Sequence, residues 1–109
     1  MKPKRIKLRP WIYPVDLLVY NTDNIGYIED KYNLAKMDSS TGFVWTTKKS
    51  EILCVFSASD ITDRIIVHES KHIVNRLFSI IGQDLDVKND EVECYLLDTI
   101  FQTLHNKLM

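Results

Sequence analysis

Two long stretches in the C-terminal half of the chain have apolar residues at helical spacing, and they constrain the fold more than any other feature. In the first, a broad apolar stripe begins at Ile61, and Gly82 follows it as a natural helix end. The second runs from about Glu91 to Lys107, with these residues on or near one stripe: Val92, Leu96, Ile100, Leu104 and Leu108. The spacing predicts two principal helices, joined by a polar loop over residues 83–89.

Short β-prone runs precede these helices. Residues 15–20 form the first run, and the runs 43–47 and 51–57 are joined by the polar turn 48–50, which predicts a hairpin. The apolar centre Ile52–Phe56 places the later strand in the interior and the earlier one nearer an edge. Strands followed by helices predict an α+β class, in which a small antiparallel or mixed sheet packs on two principal helices.

The connecting segments are less regular. Residues 21–26 and 38–42 have turn-forming compositions, and residues 57–60 supply candidate N-caps for the first long helix, with Asp63 in its first turn. Between the two turns, the segment from Tyr27 to Met37 alternates aromatic and aliphatic residues with charges. This pattern does not decide between a short helix and an irregular strand.

Composition limits the class of protein. The 109 residues suit one domain over residues 1–109, and 45% hydrophobic with 27% charged residues is the balance of a globular chain. A net charge of -1 argues against a nucleic-acid partner, and no apolar run approaches a bilayer span. We therefore expect no nucleic-acid or membrane partner. The sequence makes no prediction of oligomeric state.

The N-terminus and the cysteines bear on the compartment. Residues 2–9 carry five basic side chains, but Pro10, Pro14 and Asp16 interrupt the following stretch, so a secretory signal is not predicted. The basic residues form either a solvated edge or a phosphate-binding arm. Cys54 and Cys94, without a secretory signal, suggest reduced thiols. We therefore expect a cytoplasmic protein.

The first long helix contains the pattern H-E-x-x-H at residues 68–72. His68 and His72 are just over one helical turn apart, so both imidazoles leave the same face and can bind one metal ion. Neutral imidazole is a preferred zinc donor, so the expected cofactor is one Zn²⁺. Glu69 lies about 100° round the helix, where it can act as a general base on a zinc-activated water. The alternative is a surface histidine pair.

A catalytic zinc site needs a third protein ligand, and the second helix offers several. Glu91 is preferred to Asp90 because it directly follows the loop, and 18 residues separate it from His72. Glu93 is the competing carboxylate, and because it is two residues from Glu91 it faces away from it. Cys94 is chemically a donor but more often an apolar helix residue, and Cys54 is assigned to the core.

These residues resemble the gluzincin branch of the zincin metallopeptidases, whose pattern is H-E-x-x-H, about 18 to 19 residues, then Glu on the next helix. The string Asp90-Glu91-Val92-Glu93-Cys94-Tyr95-Leu96 also looks like the D-E-x-x-x-Y-L segment of small phage-encoded proteins of this type. The resemblance covers roughly residues 42–100. It implies a minimal zincin-like domain with a metal helix and a third-ligand helix.

The resemblance also implies roles for other residues. Gly42, Phe43, Val44 and Trp45 would form an edge strand that pairs with an extended peptide substrate, unless the N-terminal segment covers it. Larger gluzincins carry an imidazole-orienting carboxylate four residues after the ligand Glu, where this chain has Tyr95. Asp98 is either the substitute for that carboxylate or a solvated helix residue. A transition-state donor is not obvious, and Tyr95 and His105 are weak candidates that are more readily explained as structural.

Two functions follow from this reading. The first is a zinc-dependent peptidase acting on peptide or protein substrates, with His68, His72 and Glu91 as ligands and Glu69 as base. The second is a zincin-fold binding module, possibly phage-borne in origin, with a structural or vestigial zinc site and no proteolysis. The intact Glu69 favours the first function. The second is favoured because larger gluzincins place their transition-state donor in a C-terminal subdomain for which this sequence has no counterpart. A metal-free globular module is a third alternative.

Overall fold

The computed structural model describes residues 2–35 and 41–109 and has the predicted α+β class. Its elements follow the chain in this order: β1 (Ile6–Leu8), β2 (Leu17–Asn21), α1 (Ile25–Tyr32), β3 (Gly42–Thr46), β4 (Ile52–Phe56), α2 (Asp63–Ile81) and α3 (Glu91–Leu108). The predicted strands and both long helices are present.

The strands form one mixed sheet in the order β1-β2-β4-β3. The central pair, β2 and β4, is parallel, with Leu17 opposite Ile52. The outer strands β1 and β3 are antiparallel to their neighbours. The β3–β4 hairpin is therefore confirmed, and so is the interior place of β4, all five of whose residues are buried.

Helices cover both faces of the sheet. The larger core lies between one face and the helices α2 and α3, and it includes Val44, Ile73 and Ile100. On the other face, α1 packs over a smaller cluster in which Ile28 is fully buried. The sheet alternation explains this division, since successive residues of β4 point to opposite faces. The H-E-x-x-H pattern at residues 68–72 therefore lies on a helix that packs against the sheet.

The ends of α2 differ in how well the sequence predicts them. Gly82 ends the helix in the left-handed conformation (φ 74°), as expected. The N-cap is Thr62, whose side chain accepts a hydrogen bond from the Ile65 backbone N–H at 3.3 Å, and not a residue of 57–60. Ser57 and Ser59 are engaged elsewhere, because both donate to the carboxylate of Asp23.

The short elements were the least predictable. The strand β1 was not predicted. The segment 27–37, for which a helix and a strand were both considered, contributes its first residues to the helix α1, which begins earlier, at Ile25. Gly26, assigned to a turn, lies inside that helix. The side chain of Asn24 caps it by accepting from the Tyr27 N–H at 3.3 Å. Residues 36–40, which hold the end of that segment and most of the turn predicted over 38–42, lie outside the described residues.

The two long helices pack antiparallel, as two contacts between opposite ends show. Asp63 in the first turn of α2 contacts His105 in the last turn of α3, with Oδ1 and Nε2 3.2 Å apart. Toward the other end, Lys71 of α2 contacts Glu93 of α3. No helix in the described part of the chain is both long and apolar enough to cross a membrane.

Candidate metal centre

The histidines of the H-E-x-x-H pattern project from the outward side of α2. The ring centroids of His68 and His72 lie 5.0 Å apart, with an angle of 72° between the ring planes, and both residues are exposed. One ligand atom from each ring and a carboxylate oxygen of Glu69 lie within 4.8 Å of one another. Two imidazoles and a carboxylate at this spacing suit a divalent transition metal such as zinc.

Glu69 lies at the boundary between this surface and the core. Its exposed fraction is 5%, whereas the two histidines beside it are exposed. Burial raises the pKa of the Glu69 carboxyl above its ordinary value, and the neighbouring imidazoles of His68 and His72 act in the opposite direction. A partly desolvated carboxylate beside a metal site is suited to accept a proton.

The first residue of β3 packs directly on Glu69. A β carbon on Gly42 would lie 3.3 Å from both Cγ and Oε2 of Glu69 and 3.2 Å from the backbone oxygen of Val55. Only a residue without a side chain allows the edge strand to approach the carboxylate this closely. The structure therefore brings Gly42 and Glu69 together.

An open cleft of about 680 Å³ lies between the start of β3 and the first half of α2. Gly42, His68 and Glu69 line it together with Arg64, which sequence reasoning missed. Arg64 is four residues before His68 and therefore lies on the same side of α2, so helical spacing was a signal that could have found it. The cleft is large enough to admit a chain segment beside His68 and Glu69.

The other residues assigned to the substrate strand have separate environments. β3 is an edge strand, and β1, the N-terminal strand, lies at the opposite edge of the sheet, so it does not cover β3. Val44 is buried in the larger core, and Phe43 packs against the smaller cluster on the α1 side. Trp45 is 44% exposed, and the Arg76 guanidinium stands 5.2 Å from its ring centroid.

The structure does not bring Glu91 to the histidines. Among residues 2–35 and 41–109, the group within 4.8 Å contains His68, Glu69 and His72 and no further His, Cys, Asp or Glu. Glu91 is exposed at the first position of α3. Asp98 and Tyr95 are exposed as well, Tyr95 with 69% of its surface accessible.

Glu93, the competing carboxylate, faces α2. One of its oxygens contacts Nζ of Lys71, and the same ammonium donates to Oδ1 of Asn75 at 3.0 Å. Lys71 directly precedes His72 in α2, but Glu93 lies outside the 4.8 Å group formed by His68, Glu69 and His72. Sequence analysis placed Glu93 behind Glu91 because the spacing from His72 favours Glu91 and because the two carboxylates face away from each other; that spacing does not define the orientation of α3 about its own axis.

The remaining candidates lie away from the histidines. His105 contacts Asp63 at the far end of the helix pair and stacks on Phe101 with ring centroids 5.6 Å apart. Cys54 is buried in the core, as expected, and burial raises the pKa of its thiol well above the ordinary value. Cys94 is exposed on α3 and, like Cys54, is not in a disulfide.

Comparisons of the chain with protein-family models, with curated proteins and with solved structures gave no match. The assignment of a metal centre therefore depends on the residues themselves. Two imidazoles and the carboxylate of Glu69 fit zinc in kind and spacing, and the third ligand at Glu91 does not join them.

Proposed function

We propose that this protein is a zinc-dependent hydrolase of peptide bonds. The single observation that carries the proposal is the group formed by His68, Glu69 and His72, whose ligand atoms lie within 4.8 Å on a helix that borders an open cleft. A surface histidine pair would not require a buried carboxylate beside it, because burying a charged group is costly unless it is used or paired.

Each of the three residues has a distinct part. His68 and His72 would hold the metal, together with a carboxylate from α3. When bound, zinc supplies Lewis-acid chemistry, lowering the pKa of a water and polarising a carbonyl. Glu69 accepts a proton in the cleft and returns it to the leaving amine, and its burial holds the carboxylate at one place.

The edge strand β3 would orient the substrate. Its outer side faces no other strand among the described residues, and it begins at Gly42, directly over Glu69. An extended peptide can pair with such an edge through its backbone, which places a scissile bond beside the carboxylate. We therefore propose peptide or protein segments in extended conformation as substrates.

The working compartment that we propose is the cytoplasm of a bacterium or of a phage-infected cell. Cys94 is an exposed free thiol, and Cys54 is buried and unpaired. Free exposed thiols persist in reducing compartments and are oxidised outside them.

The test combines metal analysis with three variants. The purified full chain should contain about one zinc per molecule, as one site requires. Glu69→Gln should keep the zinc and lose hydrolysis of a fluorogenic peptide library, whereas His68→Ala should lose both. Asp84→Asn, a change on the exposed loop between α2 and α3, serves as the control and should change neither. Full hydrolysis by Glu69→Gln would show that the proposed chemistry is wrong.

One observation favours a second function, a protein-binding module with a structural or vestigial zinc site. Only two imidazoles and Glu69 come together among the described residues, which is one protein ligand fewer than a catalytic zinc site uses when Glu69 serves as the base. The Co²⁺-substituted protein distinguishes the two functions. A water-derived ligand that exchanges with added azide supports the hydrolase, and a site closed by four protein ligands supports the binding module.

A further inference from the structure

The orientation of α3 about its axis decides which carboxylate it presents to α2. Glu93, Leu97, Ile100 and Leu104 follow the spacing of one helix face, and Ile100 and Leu104 are fully buried. Glu91 is nine residues before Ile100, which at about 100° per residue places it roughly half a turn away, on the opposite side. Its exposure agrees with this position.

Glu93 is held at the surface of α2 by a specific pair of residues. Lys71 Nζ contacts Glu93 Oε1 and also donates to Asn75 Oδ1 at 3.0 Å. The side chain of Glu93 is 18% exposed, and that of Lys71 is 41% exposed. Glu93 is therefore the carboxylate that α3 turns toward the helix bearing His68 and His72, outside their 4.8 Å group, whereas Glu91 lies on the opposite side of α3.

We propose that Glu93 is the third protein ligand of the metal, and that Lys71 occupies this carboxylate while the site is empty. The inference depends on the proposed metal site at His68 and His72. It departs from the gluzincin pattern, which assigns the role to Glu91.

Charge balance explains why Lys71 is needed. A mostly buried carboxylate without a cation would carry a desolvation cost, and the Lys71 ammonium offsets it. When a divalent cation is bound by the histidines, Glu93 exchanges the ammonium for the metal, and Lys71 keeps its hydrogen bond to Asn75. Both cations therefore compete for one carboxylate, and metal affinity is set partly by Lys71.

Zinc titration of the full chain by calorimetry tests this, with no need for substrate. Glu93→Gln should weaken zinc binding by about 100-fold or more, since the loss of a residue that merely orients a ligand already costs about 10- to 100-fold. Glu91→Gln, the same chemical change two residues away, should leave the affinity unchanged. Lys71→Met removes the competitor and should strengthen binding by roughly two- to five-fold, the usual range for a partly exposed ion pair.

The double variant separates competition from simple charge repulsion. If Lys71 acts through Glu93, Lys71→Met adds no affinity in the Glu93→Gln background. If it acts only as a nearby positive charge, the gain persists, and the competition is overturned. Circular dichroism of each variant confirms that α2 and α3 are still folded.

The variant His68→Ala separates a failure of the Glu93 assignment from a failure of the metal site itself. Zinc binding that is lost in His68→Ala but unaffected by Glu93→Gln overturns the role of Glu93 and leaves the metal site intact. Loss of zinc binding in Glu91→Gln would instead make Glu91 the third ligand. Binding that is insensitive to His68→Ala, or absent in the wild type, would remove the metal site and with it the proposed function.

Discussion

Gly42 at the start of the edge strand β3 contacts Glu69 on α2. A β carbon on Gly42 would lie 3.3 Å from Glu69 Oε2. Because the same position lies 3.2 Å from the Val55 backbone oxygen, a side chain there must displace either the strand or the carboxylate. The width of the cleft beside Glu69 is therefore fixed by the absence of one methyl group.

Gly42→Ala should destabilise the protein and reduce hydrolysis. Overpacking of this kind costs about 1–3 kcal/mol, because neighbouring atoms must move. Urea unfolding measures the cost. Gly26→Ala is the matched control, since the nearest atom to its β carbon is 4.0 Å away and α1 gains a better helix former, worth about 0.5–1 kcal/mol. Equal stability of the two variants would contradict the contact.

Ile100→Ala should destabilise the protein by about 2–5 kcal/mol, because it removes a fully buried side chain from between α3 and α2. Val92→Ala should change stability by less than about 0.5 kcal/mol, because Val92 is 58% exposed. Chemical denaturation of both variants tests the orientation of α3. A larger effect at Val92 would mean that the helix is turned the other way.

Asp23 should make the free energy of unfolding depend on pH, with lower stability in acid. Its carboxylate accepts hydrogen bonds from the Ser59 backbone N–H and from the Ser57 and Ser59 hydroxyls, and these lower the pKa of Asp23 below 3.8. The stabilisation is present above the unfolded-state pKa and is lost as the pH falls through the lower folded-state value. Asp23→Asn should therefore be less stable than wild type at pH 7, with the difference shrinking below pH ~4.

The control for Asp23 is Asp84→Asn. The carboxylate of Asp84 accepts no hydrogen bond from residues 2–35 or 41–109, so urea midpoints should match wild type at every pH. If Asp23→Asn also matched wild type from pH 7 down to pH ~3, the loop between β4 and α2 would not depend on this carboxylate.

Arg76 and Trp45 connect the edge strand to α2 on the side of Glu69. Their cation–π contact, 5.2 Å from guanidinium carbon to ring centroid, is worth about 0.5–1 kcal/mol at a partly exposed site. Arg76→Ala should lower the free energy of unfolding by about this amount when Trp45 is present and should leave it unchanged in a Trp45→Leu background. Strictly additive losses in this double-mutant cycle would show that the two side chains do not interact.

The sequence predicted the elements with long or local signals. The β3–β4 hairpin follows from two apolar runs and a polar turn, and α2 follows from a stripe that ends at Gly82. The short elements depend on tertiary contacts. The last turn of α1, for instance, is fixed by the hydrogen bond between the Tyr20 and Tyr32 hydroxyls at 2.8 Å, which no local pattern predicts. In β1, the alternation of Ile6 and Leu8 with basic residues was an available signal.

The candidate site divides in the same way. The proximity of His68, Glu69 and His72 is local to one helix, so the spacing alone predicts it. The third ligand depends on the orientation of α3, and there the predicted stripe was misleading. Residues at i+4 drift by about 40° per step, so Val92 and Leu108 lie roughly 160° apart on the helix and cannot both face the core. Val92 is exposed, and the inward carboxylate is Glu93.

The parallel pairing of β2 with β4 affects how the chain reaches its native state. It joins residues 35 positions apart, such as Leu17 and Ile52, whereas α2 and α3 meet across the short loop 82–90. The entropy cost of loop closure is smaller for segments that are close in sequence. We therefore expect the pair of helices α2 and α3 to form before the strands β2 and β4 pair. The two imidazoles therefore belong to the early-forming part of the molecule, and during refolding the proposed metal site would be assembled before the sheet is complete.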